Sequence, residues 1–335
     1  MKLRILTEMD VRKVIDMKKA IEIQKNAFAL LSKTSENLKL RSFVHSMDPP
    51  GIAIFNPSFL QDAKGYGVKV VSDFFDNDKQ GTTRMSSLMT LFDGNTGHPK
   101  AIMEGGYLTD LRTGAGTALA ARYLAREESK TLLVIGAGRV ARNQISGISS
   151  VCPINKVLIV SRTKKRIDDL MNRLINVDGW APEQIVIEEN IEEGILKADI
   201  VISATTAKTP TFPGSALKRG TFIAAVGANL PDAREVDNNT ILKSSCRVID
   251  SRRDCMENAG DFLIPINRGL LDPSSVLELS ELVLDNKKGR KTPQEITFYK
   301  SIGVPIQDLV TAQYIEAQAE IKKIGTVIDI GGEYF

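Results

Sequence analysis

The sequence predicts an α/β fold in two domains, one of them assembled from both ends of the chain. At 335 residues, it exceeds the roughly 100–200 residues that one domain usually organises. From Lys130 onward, short apolar runs alternate with helix-like stretches, the rhythm of a parallel sheet with right-handed crossovers. Before Lys130 the pattern is strands and a hairpin behind a helix, and after Pro305 a further helix returns. These shifts place a discontinuous α+β domain at residues 1–115 and 306–335, and the parallel-sheet domain at 116–305.

Each element has its own signal. From Asp10 to Lys33, Val11, Val14, Ile15, Ala20, Ile21, Ile23, Ala27, Phe28 and Leu31 recur at helical spacing. Between Leu38 and Val71 the runs RSFVHS, GIAIFNPSFL and GYGVKVV read as strands, with Pro49, Pro50 and Gly51 marking a turn. SSLMTLFDGNTGHPKAIMEGG reads as a hairpin turning at Asp93-Gly94-Asn95 and Gly97, and the Ala- and Leu-rich stretch from Leu108 to Arg126 as a helix. TLLVIG, KVLIVSR, QIVIEE, ADIVISAT, GTFIAAVG and CRVIDS are the strand candidates of the second domain. The tail DLVTAQYIEAQAEIKKIG reads as a helix that packs back on the first domain.

Composition narrows the chemistry. Lys plus Arg number 44 and Asp plus Glu 41, a net charge of only +3, so no basic excess marks a nucleic-acid binder. Three cysteines without a CxxC pair argue against a disulfide framework or a zinc module, and two histidines leave little for a His-ligated metal. No apolar run approaches the roughly 18 residues that cross a bilayer, and no leader pattern is visible at the start. The expectation is a cytoplasmic protein without metal, membrane or nucleic-acid partner. The basic run Lys287–Lys291 reads as a solvated loop, and Cys246 and Cys255 as buried or idle thiols.

TLLVIG runs into Gly136-Ala137-Gly138-Arg139-Val140-Ala141, which matches GxGxxA between a strand and a helix. The first glycine permits the tight turn, the second lets a pyrophosphate approach the backbone, and Ala141 allows close helix–strand packing. The parallel-sheet domain is therefore expected to be a Rossmann dinucleotide-binding domain. At the end of the second strand, an NAD site usually carries Asp or Glu for the ribose hydroxyls. Here the chain reads Val160-Ser161-Arg162-Thr163-Lys164-Lys165. Arg162 with the Ser161 and Thr163 hydroxyls suits a 2′-phosphate, so NADP(H) is the preferred cofactor and NAD(H) the alternative.

The first domain carries isolated cations in apolar surroundings: Arg41 in LRSFV, Lys69 in GVKVV and Arg112 in LTDLRTGAG. A buried ammonium or guanidinium needs an anion, so each implies a carboxylate partner or a ligand. Spacing alone does not bring the three together.

In order, GVKVV, LFDGNTG, AIMEGGYLTDLRTGAGTALAARYLA, VIGAGRVARNQ, VGAN and FYKSIGVPIQDL resemble the ornithine cyclodeaminase/mu-crystallin family, over residues Thr7 to Ile324. That family comprises ornithine and lysine cyclodeaminases, some alanine dehydrogenases, and ketimine or imino-acid reductases. The resemblance implies a homodimer whose substrate-binding and dimerisation domain is discontinuous. It implies that Arg41, Lys69 and Arg112 bind a substrate α-carboxylate and that Gly136, Gly138, Arg139, Val140 and Ala141 form the pyrophosphate turn. It places Thr205, Val226, Gly227 and Ala228 along the ribose and nicotinamide, and Ser301 in a loop approaching the ring.

Two departures from the family pattern direct the reading. Where cyclodeaminases carry an aspartate after VGA, this chain has Asn229, which hydrogen-bonds an imine or water but is no general base. The Thr-His or Ser-His pair before the hairpin strand is Arg84-Met85, and Arg84 either meets a second acid on the substrate or is exposed. The expected activity is reduction, by NADPH, of a C=N bond beside a carboxylate. In it Arg41, Lys69 and Arg112 orient a small amino- or imino-acid substrate, Lys69 or a water supplies the proton, and Asn229 takes the imine side. The alternatives are an NAD-dependent ornithine cyclodeaminase, an alanine-dehydrogenase-like enzyme, and a non-catalytic NADPH- and ligand-binding protein.

Overall fold

Thr7 and Asp10 form a reciprocal capping box that starts helix α1 (Glu8–Val14), directly after strand β1 (Lys2–Leu6). These are features of a computed structural model that describes residues 1–33, 41–60, 65–285 and 288–331. The helix expected over Asp10–Lys33 is two helices. Ile15 takes extended backbone, and the Asp16 carboxylate accepts the Lys19 amide at 2.8 Å, starting α2 (Met17–Leu31). Apolar spacing continues across this cap, so periodicity alone does not reveal the break.

Five strands follow: β2 (Ser42–Met47), β3 (Pro50–Leu60), β4 (Gly65–Phe74), β5 (Met85–Asp93) and β6 (Pro99–Glu104). At the β5–β6 hairpin, the Asp93 carboxylate accepts the Asn95 and Thr96 amides at 3.0 and 2.9 Å. Helix α3 (Gly105–Leu124) then leads out of one compact unit and into another. The first unit is Met1–Arg112 with Pro305–Phe335, and the second Thr113–Val304.

In the second unit, β7 (Thr131–Ile135), α4 (Ala141–Ser149), β8 (Lys156–Val160), α5 (Lys164–Asn176), β9 (Ile185–Ile187), α6 (Ile191–Lys197), β10 (Ile200–Ser203) and β11 (Phe222–Ala225) alternate as the sequence predicts. After them come α7 (Asn238–Lys243), β12 (Ser244–Ile249), α8 (Arg252–Asn258), α9 (Gly260–Asn267), β13 (Leu277–Glu278), α10 (Leu279–Leu284) and β14 (Ile296–Lys300). All strand pairs are parallel, in the order β13-β12-β14-β11-β10-β7-β8-β9. Leu132, Val134, Val157, Ile159, Ile200 and Ile202 are fully buried, as strands covered on both faces require. The order reverses at β7, so the crevice beyond the carboxyl ends of β7 and β10 is where such sheets hold ligands.

Strand β14 is not among the strand candidates, yet it inserts between β11 and β12 and ends in the buried Lys300. In the basic run, Lys288 and Lys291 are exposed as a solvated loop requires, but Arg290 departs from it. Lys287 lies outside the described residues, and the half-buried Arg290 guanidinium donates to the carbonyls of Leu124 and Gly220 at 2.7 and 3.2 Å. Cys255 is buried with its thiol on Asp250, and burial pushes the Cys246 thiol up to about 11.

The chain returns to the first unit as α11 (Pro305–Lys322) and β15 (Thr326–Asp329). The sheet there runs β15-β1-β6-β5-β4-β3-β2, with β1 parallel to β6 and the other pairs antiparallel. On β4 the buried positions alternate as Gly65, Gly67 and Lys69, so a lysine occupies an inward site of a strand packed against α11.

Candidate active site

In the first unit, α11 supplies the anion that the buried cations require. Lys69, on the inward face of β4, is 4% exposed, and its Nζ lies 2.7 Å from Asp308 Oδ2. Arg112, at the end of the first unit's part of α3, brings its Nε to 3.0 Å from Asp308 Oδ1 and donates from Nη1 to Gln307 Oε1 at 3.1 Å. Lys69 also donates to the Thr109 hydroxyl at 3.2 Å. Arg41 acts on Lys69 through its charge. Lys69 and Arg112 thus share the Asp308 carboxylate, and the Arg41 charge reaches Lys69.

The titration behaviour follows. Burial, with help from the Arg112 and Arg41 charges, brings the Lys69 ammonium down to about 8, although Asp308 works in the opposite direction. Burial would raise the Asp308 carboxyl, but Arg112 and Lys69 outweigh it and hold the group below the usual range. The cluster therefore keeps a surplus of positive charge in a dry place, the condition for binding a second carboxylate tightly.

Asp308, Gln307 and Thr109 are absent from the sequence candidates. Asp308 did leave a signal, as an acid in the apolar first turn of the final helix. Arg84 is not brought to this cluster. It precedes β5 and forks onto Asp73 (Nε–Oδ1 2.6 Å, Nη2–Oδ2 3.1 Å), with its side chain 44% exposed.

In the second unit, Gly136 has φ +100°, and a Cβ there would lie 2.5 Å from the Ala204 carbonyl oxygen. A Cβ on Gly138 would meet no heavy atom within 4 Å. No side chain caps α4 at Val140, and Ala141 is fully buried under the turn. Open space over a glycine at an uncapped helix start fits a pyrophosphate. Beyond β8, Ser161 Oγ accepts the Thr163 amide at 3.4 Å, while Arg162 is exposed. Thr205, Gly227 and Ala228 converge on the buried Glu235. Val226 is half-buried just beyond β11, and its amide donates to the Ser203 carbonyl at 2.9 Å. The Ser301 hydroxyl donates to Asp250 Oδ2 at 3.0 Å, and that oxygen also accepts the Ile302 and Gly303 amides. Asn229 is exposed just beyond β11.

Residues 1–323 match the model of the ornithine cyclodeaminase/mu-crystallin family. Delta(1)-pyrroline-2-carboxylate reductase of Bacillus cereus is 29% identical over 326 residues, covering 97% of this chain and 99% of its own. The structure of Thermococcus litoralis Delta(1)-pyrroline-2-carboxylate reductase with NADH and L-proline is 36% identical with TM-score 0.90, covering 96% of this chain and 99% of that one. An archaeal alanine dehydrogenase dimer with bound NAD is 26% identical with TM-score 0.87, covering 99% and 100%. With its two-unit α/β fold and its glycine turn, this chain belongs to the ornithine cyclodeaminase/mu-crystallin family.

Proposed function

We propose that this chain is an oxidoreductase that reduces the C=N bond of a cyclic imino acid, of the pyrroline-2-carboxylate kind, to the α-amino acid. The carrying observation is the buried cluster in which Lys69 and Arg112 share the Asp308 carboxylate, with the Arg41 charge acting on Lys69. A guanidinium edge and an ammonium in a site closed to water bind a carboxylate by charge-assisted hydrogen bonds. The names of the Bacillus and Thermococcus relatives support the same substrate class. Bound reduced nicotinamide dinucleotide supplies the hydride.

This chain's residues do the rest. Arg112 and Arg41 fix the carboxylate and with it the plane of the imine. Lys69, an ammonium near neutral pH with its pKa brought down to about 8, both binds the carboxylate and delivers a proton to the substrate nitrogen. An amide at Asn229, where cyclodeaminases carry an aspartate, agrees with this reaction, because an imine needs no deprotonation before it accepts hydride. Arg84, held by Asp73, leaves the substrate's second end without an ionic partner from that residue, which suits an apolar ring. The test is initial rates of NADPH and NADH oxidation with pyrroline-2-carboxylate, piperideine-2-carboxylate and pyruvate plus amine. Turnover of the cyclic imines supports the proposal. Ammonia release from ornithine with NAD, and no imine reduction, replaces it with cyclodeamination.

The cofactor preference proposed is NADP(H), because residues 161–165 carry no acid and Arg162 stands at the end of β8. Arg162→Ala is expected to weaken NADPH about tenfold and NADH less than twofold, read by titration of each cofactor. An equal effect on both reverses the preference in favour of NAD(H). The working form proposed is a homodimer in the cytoplasm. Phe43, Val44 and Met47 along β2 are 50%, 58% and 88% exposed, an apolar edge that a second copy would cover.

A further inference from the structure

Glu235 is fully buried, yet neither a substrate contact nor the glycine turn accounts for it. Its carboxylate is wedged between the ends of two neighbouring parallel strands. Oε1 accepts the Ser203 hydroxyl at 2.8 Å, the Thr205 amide at 2.7 Å and the Thr205 hydroxyl at 2.9 Å, all at the end of β10. Oε2 accepts the Gly227 and Ala228 amides at 2.7 and 3.0 Å, beyond the end of β11. The two loops touch so closely that a Cβ on Gly227 would lie 2.0 Å from the Thr205 carbonyl oxygen.

A third strand end joins through Lys300. Its fully buried Nζ donates to the Ala228 carbonyl at 2.6 Å and pairs with Asp261 Oδ2 at 2.8 Å, while Asp261 Oδ1 accepts the Glu235 and Val236 amides at 2.8 and 3.0 Å. The result is a closed ring: Glu235, Ala228, Lys300, Asp261 and back to Glu235. Two acids and a lysine buried together make an expensive way to fill a core, since apolar residues of similar volume stabilise at least as well. What they provide instead is direction. Three of the five donors on Glu235 are backbone amides, whose orientation is fixed by the main chain, and four of the five belong to Thr205, Gly227 and Ala228.

We propose that Glu235 is a positioning residue that sets the main chain of Thr205, Gly227 and Ala228 for the nicotinamide end of the cofactor, with Lys300 and Asp261 holding it in place. This rests on the reading that the second unit binds a nicotinamide dinucleotide. Glu235 touches no reacting atom. It acts by keeping the β10 and β11 loops in one register at the carboxyl edge of the sheet, beside the β7 turn where the strand order reverses. The pyrophosphate turn at residues 136–141 makes no hydrogen bond to this ring, so the two halves of the cofactor are separable.

Titration of the full chain with NADH and with ADP-ribose, alongside Tm, tests the idea. Glu235→Gln turns an amide NH₂ toward N–H donors, and is expected to weaken NADH about tenfold while ADP-ribose changes less than twofold. Ser203→Ala removes one donor without touching the loops, and is expected to weaken NADH about threefold with ADP-ribose unchanged. If Glu235→Gln does not fold, the Ser203→Ala ratio decides. A ratio of NADH to ADP-ribose affinity equal to wild type in the folded variants overturns the proposal, whether both affinities hold or both fall together with Tm. Wild-type protein that binds neither probe, nor NADPH, overturns the cofactor reading and this role with it, and is distinguished by appearing before any substitution is made; where only NADPH binds, NADPH and 2′-phospho-ADP-ribose replace the two probes.

Discussion

Lys69→Met is expected to lower kcat/KM for a cyclic imino acid by about 10³-fold or more while the protein stays folded. Two losses combine. The substrate carboxylate loses a charge-assisted hydrogen bond, which raises KM, and the nitrogen loses its proton donor, a contribution of about 10²–10⁴ in rate that lowers kcat. The fold tolerates the change because burial already disfavours the ammonium, and methionine replaces it with an apolar chain of similar length. Asp308 keeps its partner Arg112 at 3.0 Å. Lys69→Arg separates the two roles. A guanidinium restores the positive charge but does not release a proton near neutral pH, so KM should recover while kcat stays low. Steady-state rates of cofactor oxidation across a substrate series read the split. Wild-type kcat/KM in Lys69→Met would remove Lys69 from the site.

The strand–turn–helix at Gly136 and the alternation that follows were legible because buried parallel strands leave nearly continuous apolar runs, and a glycine pair between strand and helix has few other uses. The break at Asp16 was not, because a capping residue interrupts a helix without interrupting its apolar spacing. Strand β14 was hidden for another reason: ITFYK carries Thr297 and Lys300, polar residues whose partners lie on other elements. Thr297 donates to the Leu124 carbonyl, and Lys300 pairs with Asp261. The site divides in the same way. That Arg41, Lys69 and Arg112 are unusual is visible one residue at a time, since a cation among valines and leucines demands a partner. The partner's identity is tertiary information, because Asp308 lies 196 residues beyond Arg112. Glu235 was equally out of reach. An acid in DAREVD looks like ordinary surface charge until the strand ends are seen to close around it. Arg290 shows the converse, a member of a basic run whose guanidinium is spent on carbonyls of the chain itself.

Asp308→Asn is expected to move the pH dependence of the reaction and to weaken the fold, in directions fixed by its partners. Lys69, at about 8 in the intact cluster, works as an ammonium, so wild-type kcat/KM should be level below that pH and fall as pH rises through it. Asp308 is the group that raises the Lys69 pKa against burial and against the Arg112 and Arg41 charges. With its charge gone, those three act unopposed, the lysine gives up its proton at lower pH, and the alkaline limb moves toward acid. Stability changes in parallel. The Asp308 carboxyl is held below its ordinary range, so its contribution to the fold is present above the pKa of the unfolded chain and is lost as pH falls through the folded value. Asparagine removes that contribution at every pH and leaves two buried cations facing an amide. Loss of one partner from such a buried arrangement costs about 3–5 kcal/mol, and the amide oxygen recovers part of it. Denaturation at neutral pH should therefore show a loss of about 2–3 kcal/mol that narrows in acid, where the wild-type carboxylate is itself neutralised. An alkaline limb that stays in place in Asp308→Asn would mean that the titrating group of the reaction is not the lysine beside it.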